Sequence, residues 1–455
     1  MRSGSTTGRV HIIGAGLAGL AAAVRLTASG RPVIVHEAAP HAGGRCRSYY
    51  DSDLGCRIDN GNHLLLAGNY STHAYLELIG AQGTVEGPPE AVFPFIDALT
   101  KDRWEIRPNR GAVPWWILAP RRRVPGTHLT DYLAALALWR GDPSATVTAV
   151  LDPRLSLFGR LWEPLAVAAL NTRVEQASAA LFWNILRETL GRGGAACRPL
   201  LPRVGLSETF VQPAISYLLR RGTEIRFGAR LKALRFAAKR VSELVYDSGS
   251  LVLGRNDDVI LSVPAAIAAR LVPALIVPDL SSPIVNAHFR CNSPKPAPLF
   301  IGVIGGAAQW IFRKREVLSV TVSAADRIVD LPAVELCEFF WRDVALAYRL
   351  PLHPVPPARI IKERRATFLA SPEQLKRRPR QITAWGNLLL AGDYVTTGLP
   401  ATIEGAIRSG FAAARLLLDS SSEVPSSIGE SNGTSTSTTA FTTEAEQEQH
   451  RAFHE

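Results

Sequence analysis

The chain is 455 residues long, 47% hydrophobic and 20% charged, which excludes a disordered protein and allows two or three domains with cores of their own. Its 51 Lys and Arg against 40 Asp and Glu leave a net charge of +11, yet no nucleic-acid-binding module accompanies that charge, so no nucleic-acid partner is expected. Five cysteines without a CxxC pair exclude a disulfide framework and a metal site of the zinc type, and no apolar run approaches the roughly 18 residues of a membrane span.

The chain meets a strand almost at once, at residues 9–13 (Arg-Val-His-Ile-Ile), which is not the pattern of a signal peptide, so a cytoplasmic location is expected. Gly14-Ala-Gly16-Leu17-Ala18-Gly19 then opens a helix over 20–29. The first glycine permits a tight turn, the second a close approach of backbone to a pyrophosphate, and the third close strand–helix packing. A second strand over 32–36 ends at Glu37, whose carboxylate can accept hydrogen bonds from ribose hydroxyls and repel a 2′-phosphate. Strand, glycines, helix, strand and acid in this order form a dinucleotide fingerprint, with phosphate at the helix N-terminus. The fingerprint alone does not separate FAD from NAD. In the next turn Gly43 and Gly44 allow a close backbone bend, and Arg45 can face phosphate oxygens.

Residues 69–205 carry helical periodicity, for example over 129–139 and 181–190. Within them, 107–123 combine Trp115 and Trp116 with five Arg. That mixture suits peripheral contact with the inner face of a cytoplasmic membrane, indoles at headgroup level and Arg on anionic lipid. Internal Trp packing beneath a solvated Arg face is the alternative. Residues 207–271 return to the nucleotide-binding pattern, with a strand over 224–233. Residues 298–304 and 309–312, parted by Gly305-Gly306, read as a hairpin, and 317–323 alternate apolar and polar residues like a strand. A last strand leads to Gly392-Asp393, and residues 397–406 open a helix reaching 418. Its N-terminus would stabilise negative charge on a reduced flavin ring. From Ser420 onward six Glu and one Arg lie among Ser and Thr, so 420–455 is expected to be a disordered acidic tail. The fold class expected is α/β (α+β overall). A Rossmann-like FAD-binding domain comes from 9–68, 207–271 and 382–419, and a mixed sheet/helix substrate domain from 69–206 and 272–381.

The glycine fingerprint, the Gly43-Gly44-Arg45 turn and the Gly392-Asp393 motif together resemble the amine-oxidase/phytoene-desaturase superfamily, whose members are two-domain FAD enzymes. A narrower resemblance lies in Asp59-Asn-Gly61-Asn62-His63, Pro114-Trp115-Trp116, 161–172, 201–207, 309–312, 362–368 and 398–405. These motifs are similar to those of the squalene-associated FAD-dependent desaturases, better named hydroxysqualene dehydroxylases. The likeness covers roughly residues 9–418. It departs at Asn62, where Gln is expected, and at Tyr394-Val395, where Trp-Thr is expected.

The resemblance implies FAD as cofactor, with Gly14, Gly16, Leu17, Ala18, Gly19, Glu37, Gly44 and Arg45 around its ADP half. It implies that Gly61, Asn62 and His63 lie near the isoalloxazine and Leu231 near the adenine. Gly392, Asp393, Leu399, Pro400 and Ile403 would surround ribityl, pyrophosphate and ring. The implied activity is reductive dehydroxylation of hydroxysqualene to squalene, feeding hopanoid synthesis, with squalene synthase-like proteins as further partners and the reductant of FAD left unassigned. Alternatives are a phytoene-type polyprenoid desaturase, an amine oxidase, and a flavin-bearing scaffold that holds such synthases at a membrane.

Dehydroxylation needs a protonated leaving group, an allylic cation and a hydride from reduced flavin, inside a tunnel that excludes water. Aromatic faces stabilise cationic character, which makes Trp115, Trp116 and Trp310 candidate substrate contacts, with Trp162, Phe182 and Trp183 behind them. Core packing is the alternative for each. His63 is the candidate catalytic proton donor, because an ordinary imidazole pKa suits acid work, and Asp59 and Glu404 are the other candidates.

Overall fold

In the computed structural model, which describes residues 8–294 and 296–422, the first strand is Val10–Ile13 and is buried along its whole length. It lies at the centre of a five-stranded parallel sheet in the order Glu224–Arg226, Val33–His36, Val10–Ile13, Asp258–Leu261, Leu388–Leu390. Parallel strands need crossovers that cover the sheet, which is why its inner strands are almost entirely buried, whereas the edge strand Glu224–Arg226 is not. The first crossover is the helix Leu17–Ala28, whose alanines let it pack closely. Beginning, middle and end of the chain thus meet in one sheet.

The strand expected over 224–233 is two strands in two sheets. Glu224–Arg226 stays beside Val33–His36, whereas Leu231 begins Leu231–Ala237, part of a three-stranded antiparallel sheet. Gly228, at φ +71°, breaks the extended run, and the backbone of Glu37 bonds to both Arg226 and Ala229 across the break.

A seven-stranded sheet forms the second layer, in the order Ala358–Phe368, Ser281–Arg290, Val317–Ser323, Trp310–Lys314, Phe300–Ile304, Phe93–Asp97, Arg103–Ile106. The expected hairpin is there: Phe300–Ile304 pairs antiparallel with Trp310–Lys314, and Gly305 turns at φ +70°. The alternation over Val317–Ser323 is also real, but all seven residues are buried. Leu318, Val320 and Val322 pack with Phe340 and Val344 of the helix Ala333–Tyr348. Thr321 and Ser323, on the opposite face of the pleat, look into a cavity. Helices Glu163–Leu170 and Ala179–Glu188 cover that cavity from the other side.

The expected helix over 129–139 is an α-helix, Leu129–Leu133, continued as a 3-10 helix, Ala134–Trp139. The last helix, Ile403–Ser422, passes the expected end at 418 and takes in the first three residues assigned to the tail. Once a helix exists, each added residue gains a backbone bond, so Ser is tolerated there. The remainder of the expected disordered tail, from 423, lies outside the described residues. Residues up to Leu417 form one compact unit, and a second begins at Leu418. Among the described residues no helix is long and apolar enough to cross a membrane, and all five cysteines are free thiols.

Candidate active site

A single cavity of about 1400 Å³ runs between the two large sheets. It exceeds the roughly 300–1,000 Å³ that one small ligand occupies. One end is the glycine turn. Gly14 takes φ +105°, and a Cβ there would lie 2.7 Å from the Ser262 carbonyl oxygen. At Gly19 a Cβ would fall 2.0 Å from the Gly14 carbonyl oxygen, so that glycine sits behind the cavity and serves strand–helix packing. Gly16 differs, because nothing lies within 4 Å of the position of its Cβ. It is the N-cap of the helix Leu17–Ala28, has no side chain to cap it, and leaves the first N–H groups, those of Leu17 and Ala18, on the cavity wall. Uncapped N–H groups beside open space form an anion site. Glu37 follows, holding the backbone N–H of Ala15 and Ala39 at 2.7 and 2.8 Å while its carboxylate keeps lone pairs for further donors.

Gly44, Arg45, Gly392 and Asp393 share this wall with Leu231. Arg45 donates to Asp393 Oδ2 at 2.6 Å and to the Ala366 carbonyl, so residues 348 positions apart close one site. Arg45, expected to face phosphate, lines the cavity and is paired there with that carboxylate. Leu399, Pro400 and Ile403 line the next stretch. Beneath them the buried Arg378, which no motif had marked, donates to the carbonyls of Leu399 (2.7 Å), Asp393 (3.1 Å) and Val395. One guanidinium thereby holds the whole loop from Asp393 to Leu399.

Gly61, Asn62 and His63 reach the cavity from the turn after the strand Cys56–Asp59. Asn62 donates to Thr321 Oγ1 at 3.0 Å, Thr321 donates to Asn286 at 2.7 Å, and Asn62 Oδ1 is buried without a partner among the described residues. Sequence reading missed Asn286 and Thr321, because the alternation of a strand does not say which face meets a ligand. Asp59 is no proton donor. Burial alone would raise its pKa, but the paired Lys314, Ser48 Oγ at 2.5 Å and the Leu206 N–H hold it below the ordinary value, so it is ionised. Glu404 is also removed from that role. It is buried and accepts from the Ser71 and Thr72 N–H groups, from the Thr72 hydroxyl and from Arg408, as the cap of the helix Tyr70–Leu78. His63 remains, but burial pushes its pKa down to about 4 and Lys314 adds to the effect, so the imidazole is neutral at neutral pH.

The far end of the cavity is apolar, lined by Phe95, Trp116, Phe182, Trp310 and Phe312. Trp116 and Trp310 therefore stand where a substrate contact was expected. Trp115 does not: it is half exposed on the outer surface. The two belong to one 3-10 turn, Trp115–Leu118, in which neighbours point about 120° apart. Trp162 is buried in the core without lining the cavity, so the packing reading holds for it.

Three buried histidines and the half-buried His63 give a pH prediction. Burial lowers the pKa of His11, takes His36 to about 3, and takes His63 and His288 to about 4. Their unfolded value is near 6.5, so above that pH both states are neutral and stability is complete. As pH falls from 6.5 towards 4 the unfolded chain takes up protons that the folded chain refuses, and each group costs up to about 1.4 kcal/mol per pH unit. The melting temperature should be flat above about pH 6.5 and fall increasingly steeply below it. A flat profile down to pH 5 would show that these rings titrate freely in the fold.

The family described as "Flavin containing amine oxidoreductase" matches residues 17–418. A hydroxysqualene dehydroxylase of Sinorhizobium fredii is 46% identical over 410 residues, 90% of this chain and 98% of that protein. One from Zymomonas mobilis is 43% identical over 411 residues, 90% of this chain and 99% of that protein. The chain belongs to the hydroxysqualene dehydroxylases. The solved structure of cyclohexylamine oxidase from Brevibacterium oxydans matches 92% of this chain and 100% of that one at 16% identity, with a TM-score of 0.65, a likeness of fold. The flavin of this dehydroxylase family fits the residues present. Gly16 leaves room for a group that a Cβ would exclude, Leu17 and Ala18 offer uncapped donors, and Glu37 has acceptor capacity to spare.

Proposed function

We propose that the chain uses FAD to convert hydroxysqualene to squalene, replacing an allylic hydroxyl by hydrogen. One observation carries the reading: a single cavity joins the dinucleotide fingerprint to an apolar chamber lined by aromatic rings, in a chain similar to hydroxysqualene dehydroxylases over nearly their whole length. The balance is an alcohol plus a hydride and a proton, giving a hydrocarbon plus water. When bound, reduced FAD supplies the hydride.

Residues 9–68, 207–271 and 382–419 would hold the cofactor, and 69–206 with 272–381 would hold the substrate. Gly14, Gly16, Leu17, Ala18, Glu37 and Gly44 suit the ADP half, Arg45 and Asp393 the middle, and Gly61, Asn62, Leu399, Pro400 and Ile403 the ring. Trp116 and Trp310 face the hydrocarbon, keep water from a developing cation and present π faces to it. His63 is the group assigned to the leaving hydroxyl. Its low pKa makes the protonated form scarce at neutral pH and strongly acidic when present.

Dithionite-reduced protein mixed anaerobically with hydroxysqualene should recover the visible absorbance of oxidised flavin in a single turnover and yield one squalene per flavin. Oxidised protein should not be bleached by phytoene. If hydroxysqualene leaves the flavin reduced while phytoene bleaches the oxidised form, the chain is a desaturase. Between about pH 8 and 6.5 the single-turnover rate should rise about tenfold per unit of falling pH, as the protonated His63 fraction does. A pH-independent rate, or a His63→Ala variant of wild-type rate that retains FAD, would remove His63 as the donor without touching the direction of electron flow.

A further inference from the structure

Between residues 113 and 140 the chain carries an apolar surface that no element among the described residues covers. The 3-10 turn Trp115–Leu118 sends Trp116 and Ile117 inward and leaves Trp115 and Leu118 outside, 51% and 63% exposed. Beside it, the helix Leu129–Leu133 and its 3-10 continuation Ala134–Trp139 bury Tyr132, Ala135 and Leu138. The opposite side of that continuation holds Leu136 and Trp139, 55% and 63% exposed. The two stretches are neighbours, since the Trp116 and Tyr132 rings meet edge to face at 5.4 Å. A helix apolar on both sides has a second apolar environment to meet, and exposed large apolar side chains on two neighbouring stretches mark an interaction site.

Charge says which environment that is. Arg121, Arg122, Arg123 and Arg140 lie in the same stretch, against Asp131 alone. Asp131 is already engaged, since its carboxylate accepts the His128 N–H at 2.8 Å. Arg122 and Arg140 hold their guanidinium carbons over the Trp115 and Trp139 rings at 5.0 and 5.4 Å. An indole under a guanidinium suits the boundary of a bilayer, ring among the glycerol esters and cation on the phosphates. A second copy of the chain is a poorer occupant, because a two-fold contact would bring four Arg against the same four.

We propose that residues 113–140 dock on an anionic lipid bilayer, with Trp115, Leu118, Leu136 and Trp139 in the headgroup–acyl boundary. The turn that carries Trp115 and Leu118 outward carries Trp116 into the cavity wall, so one short segment has lipid on one side and the substrate chamber on the other. Only this link to the substrate rests on the function proposed above; the docking surface stands without it.

The test uses the full-length, FAD-loaded protein and vesicles of phosphatidylglycerol in phosphatidylcholine, with pure phosphatidylcholine as the neutral control. Wild type should co-sediment with the anionic vesicles at low salt, and far less with neutral ones or at about 500 mM salt. Arg121→Ser with Arg140→Ser should weaken the partition about thirtyfold, and Trp115→Ser with Trp139→Ser at least about tenfold. Both variants should keep wild-type melting temperature and flavin content, since these side chains are at the surface. Wild type that ignores anionic vesicles, or folded variants that bind as wild type does, would overturn the proposal. So would a wild-type dimer in sedimentation velocity that the Trp variant loses, which would give the face to a second copy. Turnover is not read in any arm, so none of these outcomes bears on the dehydroxylase assignment.

Discussion

Replacing Gly16 by Val is expected to strip the protein of flavin while leaving the polypeptide folded. Gly16 adopts φ −72° and ψ 176°, an extended conformation open to any residue, and its Cβ would meet no atom within 4 Å. The substitution therefore adds volume only to the cavity, beside the free N–H groups of Leu17 and Ala18. Losing the small residue at an N-cap costs about 1 kcal/mol, which a chain of this size survives. Cofactor affinity should fall at least about a hundredfold, equivalent to ~3 kcal/mol. Flavin released on denaturation, per mole of protein, measures the loss, and the melting temperature of the two apoproteins measures the fold. Gly19→Val should do both kinds of damage, because a Cβ there meets the Gly14 carbonyl oxygen at 2.0 Å. A Gly16→Val protein as yellow as wild type would mean that the phosphates lie elsewhere.

Lys314→Met should be among the most destabilising single changes available, at about 3–5 kcal/mol, because it strands the Asp59 carboxylate in the interior. The two side chains are 11% and 4% exposed and form an ion pair that joins the strand Trp310–Lys314 to the strand Cys56–Asp59, which leads into the turn carrying Gly61, Asn62 and His63. Ser48 and Leu206 also bond to Asp59, so the unpaired charge keeps its site and cannot turn to solvent. Urea midpoints should show the loss without a change in slope. Adding Asp59→Asn to the Lys314→Met chain should restore most of it, since the amide carries no charge to desolvate. Flavin retention should follow the same order, lowest in the single variant. A single variant as stable as wild type would show that Asp59 reaches water or takes up a proton at little cost.

How far the sequence alone determined this protein depends on the range of the interactions involved. Strand, glycine turn, helix, strand and Glu37 were legible because each is dictated within a few residues, by apolar runs, by backbone angles that only glycine adopts, and by helix periodicity. The hairpin around Gly305-Gly306 and the strand Val317–Ser323 were legible for the same reason. Where local signals continue through a break they mislead, as at Gly228, where one expected strand divides between two sheets. The tertiary structure alone decided which side of an element meets what. It separated Trp115 from Trp116, gave Thr321 to the cavity, and brought Arg45 to Asp393 across most of the chain. It also decided the charges. Burial beside Lys314 makes His63 a neutral imidazole, the same lysine keeps Asp59 ionised, and the N-terminus of the helix Tyr70–Leu78 takes up Glu404. Sequence names the titratable groups, but a pKa is set by the dielectric and the charges that folding places around them, and those come from residues far away along the chain.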